Sequence, residues 1–566
     1  MSDTVINIPR ESTMQEIRDI LQEQAAGGAR ARARDADIRY KNLVNNAASK
    51  EEVDELFIEW WKSQYDADKY TKSQMLERWF GNVLDDARVH GDCSPLYATS
   101  TSSIGEATDD SVGLSCTPST ASAAGVDDFA KLPQFWCLEV SAEKNEDGTH
   151  TIYAVEHIDD TADVRSGEHL CWVLQKNTYI KEYNEDGYRY LKMRCHPAPG
   201  YKRWREGTDK AGKVYAYMAH PKYYAGLDAA GTITCGTGLA PVNWTSHAGG
   251  VTKWRARGAQ YSGGSGALVK FLDRMMRLKY HRKGNSGTIE GCSNYNCQYT
   301  AAVSETGVER VVLTQEQAAN LLVGSSVQLG IQDGNDRSTA SNYSICHDKL
   351  ITRIEDVEID GTAYSAVYID NGGTAFDTEA GSTLLSTDPY WSGWNDDVLG
   401  NDGSRYSPTS GKEPGLLQKV EFMNGSYLII SDELWQWSQD DEENYLLDCY
   451  VCGDQAKVSD TAITDDYVKQ DALTLKFPST QTYVWKYIGD TVISDIEWPL
   501  GVAASGSGVG CKAGYDCGPS ASGFRAGWCF GLLSYGGLGG VACRSSYRAV
   551  GNAHWSGALG APGLNG

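Results

Sequence analysis

Three patterns in the chain have the residue types and spacing of reactive or ligand-holding sites. Gly207-Thr-Asp-Lys-Ala-Gly-Lys213 has the spacing of a phosphate-binding loop, in which backbone N–H groups and a lysine cradle phosphate oxygens. Val214 stands where a Ser or Thr would hold magnesium, no apolar strand precedes the loop, and Asp209 would repel phosphate, so the segment reads as a charged hairpin. Cys449-x-x-Cys452 has zinc-ligand spacing, but no second Cys or His pair follows at the distance a closed site needs. On a strand the two side chains point to opposite faces, which makes them core and rim thiols. Asp396, Asp397, Asn401 and Asp402 could supply some of the six to eight oxygens that calcium takes, within what otherwise reads as a turn-rich acidic loop. The ten histidines stand apart from one another, and no nucleophile-elbow or zinc-protease motif occurs. The expectation is a non-enzyme without catalytic residues, cofactor or bound metal.

A different chemistry, that of non-covalent contact, concentrates near the C-terminus. The tract from Gly501 to Gly566 is dense in the chain's 60 glycines, poor in charge, and threaded with large aromatic residues. A flexible linker does not carry so many rings, because they gain too much from burial or binding. Glycines at 527, 531, 536, 539 and 540 suit a backbone that turns often and packs closely. Within residues 523–557, Leu533 and Trp555 read as scaffold. Arg525, Trp528, Phe530, Leu532, Ser534, Tyr535, Leu538, Arg544, Ser546, Tyr547, Arg548, Asn552 and His554 read as displayed, ligand-binding positions. Aromatic and arginine side chains give large contact area for few rotors.

The pattern Gly531-x-Leu533-x-x-Gly536-x-x-Gly539-Gly540, followed by an aromatic-rich stretch and Trp555-Ser556-Gly557, resembles the variable region of phage proteins with a C-type lectin fold. Those proteins are diversified by retroelements, and the family includes the major tropism determinants of phage tail fibres. Lys412 to Tyr427 and Trp498-Pro-Leu-Gly-Val502 resemble the strands before that region. Relatives end on a Gly-x-Arg strand, whereas this chain reads Gly557-Ala-Leu-Gly-Ala-Pro562, which leaves the register of the last strand open. The resemblance implies a virion protein, assembled in the host cytoplasm, that binds a bacterial surface receptor, protein or glycan. It also implies contacts with other virion proteins and a homo-oligomer, for which a trimer is plausible. Trp394-Asn395-Asp396 resembles the calcium-binding tripeptide of sugar-binding C-type lectins, with Glu413-Pro414 as its partner, but in reversed order and without the partner's Asn. Formylglycine-generating enzymes share the lectin-like architecture and use a metal-binding cysteine pair. Cys529 and Cys543 lie in the corresponding domain, yet the surrounding motif does not match. A structural virion protein whose C-terminal aromatics make subunit contacts is the remaining alternative.

Composition bounds these readings. The 566 residues exceed one ordinary core, and a net charge of −24 disfavours nucleic acid or an anionic membrane as the main partner. No run approaches a membrane span, and the first residues lack a signal peptide's basic start and apolar core. Fifteen scattered cysteines suit reduced thiols.

The elements follow in order. Residues 1–95 read as a helical attachment or oligomerisation domain, with capping boxes at Thr13-x-x-Glu16 and Ser49-x-x-Glu52. Val53, Leu56, Phe57, Trp60 and Trp61 line one helix face. A third helix carries Met75, Leu76, Trp79, Phe80, Val83 and Leu84 and stops at Gly91. These tryptophan-rich stripes form a small bundle core or, where exposed, dock on a larger assembly. Arg30, Arg32 and Arg34 mark a solvated helix face. Residues 96–130, rich in Ser and Thr, read as a linker or poorly ordered arm. Residues 131–290 form a mixed β domain leading into the lectin-like fold, with a hairpin at Asn145-Glu-Asp-Gly148. A helix spans Ala267 to Lys283, with Leu268, Phe271, Leu272, Met275 and Leu278 inward and Lys279, Arg282 and Lys283 at its dipole-favoured end, before Gly284. Residues 291–380 read as an inserted β-barrel-like domain, and 381–566 as the C-type lectin-like core. The class is α+β and multidomain.

Overall fold

The computed structural model describes residues 31–96, 102–209, 211–331, 340–500 and 510–564. It is a mixed helix-and-sheet protein dominated by strands, which fall into seven sheets among the described residues. No helix among them is long and apolar enough to cross a membrane.

Residues 31–44 are helical, with Arg32 and Arg34 exposed; Arg30 and the Thr13 box lie outside the described residues. Ser49 caps the helix Lys50–Gln64 by accepting the Glu52 N–H at 3.3 Å. The Glu52 carboxylate reaches one residue further back than a capping box requires, to the Ala48 N–H at 2.7 Å. The helix Lys72–Arg78 continues as a π turn over Trp79–Val83. The third helix therefore ends well before Gly91: Leu84 leaves the helical region at ψ 89°, and the Asp86 carboxylate takes the Arg88 N–H. Gly91 instead lies inside the strand Val89–Pro95, antiparallel to Tyr188–Arg194.

The helices do not close on themselves as a bundle. Phe57, Trp79 and Trp136 meet with ring centroids 5.0–5.7 Å apart, and the indole N–H of Trp136 donates to Asp54 at 2.9 Å. Trp136 precedes the strand Cys137–Lys144, so the tryptophan stripe is spent on the protein's own sheet. One hydrophobic core runs from Tyr40 through Trp172 and Trp435 to Leu564, crossing the expected boundaries at 95 and 130.

The expected linker is also part of the body where it is described. Thr117 and Val126 share a backbone hydrogen bond of 2.7 Å, and the Ser119 N–H donates to Asp402 O at 2.9 Å. The contact depends on a missing side chain, because a Cβ on Gly403 (φ +151°) would meet the Ser119 carbonyl oxygen at 2.0 Å. Small Ser, Thr and Ala residues let this backbone lie flat on its neighbour, so composition alone misreads it as a free arm.

The largest sheet has the strand order Tyr467–Phe477, Tyr445–Cys452, Tyr427–Gln439, Gly523–Phe530, Gly540–Ser545, Gly514–Cys517 and Val484–Tyr487. The last strand, Gly557–Leu559, runs parallel to Tyr427–Ile429 in the register Tyr427↔Gly557, which settles the question left by its sequence. Beyond it the tail is clamped by ring N–H groups. Trp254 donates to Gly560 O at 3.0 Å, Trp172 to Pro562 O at 2.8 Å and His150 to Leu564 O at 3.0 Å.

Between Gln298 and Thr387 the chain builds a six-stranded sheet around a separate core that includes Val311, Leu329, Val367 and Leu385. An Ala302 N–H to Val312 O bond of 2.8 Å links the two ends of its strand order. Tyr295 and Tyr390, where the chain enters and leaves, lie with ring centroids 5.8 Å apart.

The long helix Gly266–Tyr280 is capped by Ser265 and ends at His281, in the left-handed region at φ 52°, ahead of the Gly284 expected to stop it. It is buried on every side, its cations included. Lys270 pairs with Glu497 at 2.8 Å, Arg274 with Glu182 at 2.9 Å, and Arg277 with Asp92 at 3.3 Å. Lys279 lies 2.8 Å from Asp127 and 2.6 Å from Asp402. Removing one partner of such a pair leaves a buried uncompensated charge, which costs about 3–5 kcal/mol. Lys279→Met should therefore lower unfolding stability by about that amount in urea titrations and open residues 102–130 to limited proteolysis, whereas a neutral effect would remove this pair as an anchor.

Candidate ligand-binding face

The C-terminal tract is a framework first and a surface second. Gly531 sits at φ +89°, where a Cβ would also meet Tyr535 Cδ2 at 2.8 Å, and a Cβ on Gly557 would strike the Trp528 ring at 2.8 Å. These two glycines let rings pack directly on backbone.

Four of the thirteen positions expected to be displayed are buried instead. Trp528 and Phe530 are each 1% exposed and Arg544 and Ser546 are fully buried. Trp528 lies edge-on to Tyr427 with centroids 5.5 Å apart. Arg544 donates to Glu497 O at 2.8 Å and to Cys529 Sγ, and Ser546 shares a 2.9 Å hydrogen bond with the Tyr515 hydroxyl. Two features explain the misassignment. The inner half of the strand Gly523–Phe530 is covered on both sides, with Trp528 in one core and Cys529 and Phe530 in another. Phe530 has φ 76°, at a register shift against Gly540–Ser545, which breaks the two-residue alternation.

The other nine positions reach the surface. Ser534, Tyr547 and Asn552 are exposed, while Arg525, Leu532, Tyr535, Leu538, Arg548 and His554 are half-buried. Of the scaffold pair, Leu533 is buried and Trp555 half-buried. Tyr547 is 48% exposed and stands edge-on to Tyr483, which is 47% exposed, at 6.0 Å. Two residues along, Trp485 stands edge-on to Tyr535 at 4.7 Å. Tyr535 in turn shares a hydroxyl–hydroxyl hydrogen bond with the buried Tyr427. Arg548 lies over the Tyr547 ring at 5.3 Å. Arg525 is paired in register with Trp435 and bridged to Ala549; burial pushes its guanidinium pKa down, and its Nε has no hydrogen-bond partner. Tyr547, Tyr483, Trp485 and Tyr535 thus form one aromatic line with Arg548 at one end. The sequence reading missed Tyr483 and Trp485; the signal was the alternation Tyr483-Val-Trp-Lys-Tyr487 beside the glycine-rich tract.

Beneath the line lies Asp516, whose Oδ1 is 3.5 Å from the Tyr427 hydroxyl and whose carboxyl burial raises to a pKa of about 6.

The candidate metal-ligating groups are spoken for. Asp396 accepts from Tyr223 at 2.6 Å and Thr237 at 2.7 Å, and Asp397 pairs with Arg405 at 3.0 Å. Glu413 accepts the Trp394 indole N–H and the Tyr406 and Ser407 N–H groups, each at 3.0 Å. Cys116, Asp127 and Asp402 offer three ligand atoms within 4.8 Å of one another, but the Lys279 ammonium already supplies the positive charge there. Cys449 and Cys452 are buried in different clusters, as opposite faces require. Cys529 is fully buried, with burial pushing its thiol pKa to about 12. In the Gly207–Lys213 segment Thr208 bridges Val214 and Asp209 accepts the Lys213 N–H at 2.9 Å, a hairpin turn.

The face offers rings, a guanidinium and hydroxyls, which is equipment for non-covalent capture. No protein-family model and no curated protein matches the chain.

Two stability measurements check this placement. Trp528→Ala should cost about 3–5 kcal/mol, as for other buried large-to-small changes, while Tyr547→Ala should stay within about 0.5 kcal/mol. Asp516 favours the fold while protonated, so its contribution is complete below its ordinary pKa of 3.8 and is lost as pH rises through about 6. Asp516→Asn should match the wild type at pH 4 and exceed it at pH 8 by roughly 2–3 kcal/mol; chemical denaturation at both pH values reads this, and equal stabilities at pH 8 would refute it.

Proposed function

We propose that the protein is a receptor-binding protein of a phage or prophage, whose C-terminal tract is a C-type lectin-fold variable region that binds a bacterial surface ligand. The observation that carries this reading is the aromatic line Tyr547, Tyr483, Trp485 and Tyr535, exposed at Tyr547 and Tyr483 and half-buried at Trp485 and Tyr535, with Arg548 beside it, mounted on a framework whose glycines let rings pack on backbone. Such residues supply most of the binding energy in protein interfaces, because they bury large area at small entropic cost. Binding is non-covalent, and several copies on one particle add avidity through effective concentration. On this reading the N-terminal helices attach the protein to the virion, and the middle β segments, 131–290 and 291–380, space and stabilise it.

The displayed positions differ from the thirteen read off the sequence. Trp528, Phe530, Arg544 and Ser546 maintain the platform, and Tyr483 and Trp485 join the contact surface. The enzyme alternative is disfavoured by the depth and protonation of Cys529 and Cys543, which are both fully buried with raised thiol pKa values.

The test is binding of the purified full-length chain to a panel of bacterial cells, compared with Tyr483→Ala, Trp485→Ala and Tyr547→Ala. Each substitution at a contact centre should weaken capture by about thirtyfold, equivalent to roughly 2 kcal/mol, with the melting temperature preserved. Capture by no cell, or equal capture by all variants, would favour a structural virion protein whose aromatics contact other subunits.

A further inference from the structure

A cavity of about 560 Å³ opens at the N-terminal end of the long helix. It is bounded by the turn Arg205–Gly207, the strand Tyr217–Pro221, the first helical turn, Asp432 and the segment from Cys452 to Lys457, and shares no lining residue with the aromatic face. Its volume falls in the range of small-molecule sites, roughly 300–1,000 Å³.

Three lining side chains bring buried polar atoms without a hydrogen-bond partner: Nη1 of Arg205, Oε1 of Glu206 and Nε2 of His220. Glu206 Oε1 and His220 Nε2 lie 3.4 Å apart, on side chains only 10% and 3% exposed. All three groups are held in place. The His220 ring stacks on Phe271 at 4.0 Å, Glu206 follows Arg205 in one 3-10 turn, and Arg205 Nη2 is fixed by Asp432 at 2.8 Å. The other charged groups around the cavity are engaged. Asp432 also accepts from Ser265 at 2.7 Å and Gly266 at 2.9 Å, Lys457 pairs with Asp466 at 2.6 Å, Asp454 accepts the Ala456 N–H at 3.0 Å, and Asp209 accepts from Tyr215 at 3.1 Å.

A buried donor or acceptor left unmade is costly, so the cavity's best complement satisfies all three at once. That requires an acceptor, best an anion, for the guanidinium and a donor with more than one hydrogen for the adjoining carboxyl and imidazole. A neutral sugar supplies no anion for Arg205, and a bare metal ion beside Glu206 brings neither an anion for the guanidinium nor a hydrogen-bond donor. We propose that this cavity binds a small zwitterion of the amino-acid or dipeptide class, its carboxylate on Arg205 and its ammonium on Glu206 and His220. Burial holds the His220 pKa down at about 3, which keeps its imidazole neutral and able to accept. Burial raises Glu206 to about 7, so its carboxylate form gains most from an incoming cation. Ala219, Pro221 and Leu268 provide an apolar wall for a side chain.

Saturation-transfer NMR with the full-length chain and millimolar alanyl-leucine tests this, against N-acetyl-alanyl-leucine and alanyl-leucinamide. The free dipeptide should show transfer, and each blocked form should bind at least about tenfold more weakly, as expected for loss of a charge-assisted hydrogen bond. Glu206→Gln, isosteric at the cavity wall, should lose the dipeptide to the same extent. Equal binding of the three peptides by the wild type, or binding of none, overturns the proposal without recourse to any variant. Undiminished dipeptide binding by Glu206→Gln does so too.

Discussion

The constraint on which the rest depends is the burial of the long helix Gly266–Tyr280 together with its lysines and arginines. An ion removed from water must find its counter-ion in place, or the loss exceeds what a domain can tolerate. The carboxylates that meet this demand come from distant parts of the chain: Asp92 and Asp127 from the N-terminal third, Glu182 from the next β segment, and Asp402 and Glu497 from the C-terminal half. Each pair fixes the position of the segment that brings it. The described part of the Ser/Thr-rich stretch 96–130 is held for this reason, since Asp127 lies near its end and Asp402 abuts Ser119.

The candidate face inherits its rigidity from the same arrangement. One side of the strands Gly523–Phe530 and Gly540–Ser545 packs in the core that contains Phe271 and Met275 of the long helix. The chain after the exposed loop returns to the central strand Tyr427–Gln439 and then to the ring N–H clamp of Trp254, Trp172 and His150. A loop fixed at both ends loses little further entropy when its rings engage a ligand, which is what separates a binding surface from an exposed apolar patch.

Local patterns were legible in the sequence where they are decided locally. The Ser49 cap, the Asn145–Gly148 hairpin turn, the inward stripe from Leu268 to Leu278 and the glycine-turned character of the C-terminal tract follow from propensity, capping and period. What lay beyond reading is decided by packing across the chain. An amphipathic helix suggests a wet side for Arg274 and Lys279, and nothing local announces that Glu182 and Asp402 will cover them. Alternation assigns Trp528 and Phe530 to one displayed face, but the left-handed Phe530 and the second covering layer defeat it. The line Tyr483 and Trp485 was absent from the candidate list because it belongs to another strand, brought beside Tyr547 and Tyr535 only by the sheet order.

The central claim is that this aromatic line is the surface that meets the bacterial envelope. Hydroxyl-radical footprinting of the full-length protein, free and bound to envelope fragments from a bacterium that captures it, measures this directly. The account predicts protection of Tyr483, Trp485 and Tyr547 on binding, with Tyr188, 43% exposed on a strand of a different sheet, oxidised as before. Unchanged oxidation of those three residues in the bound protein, with protection elsewhere, would contradict it.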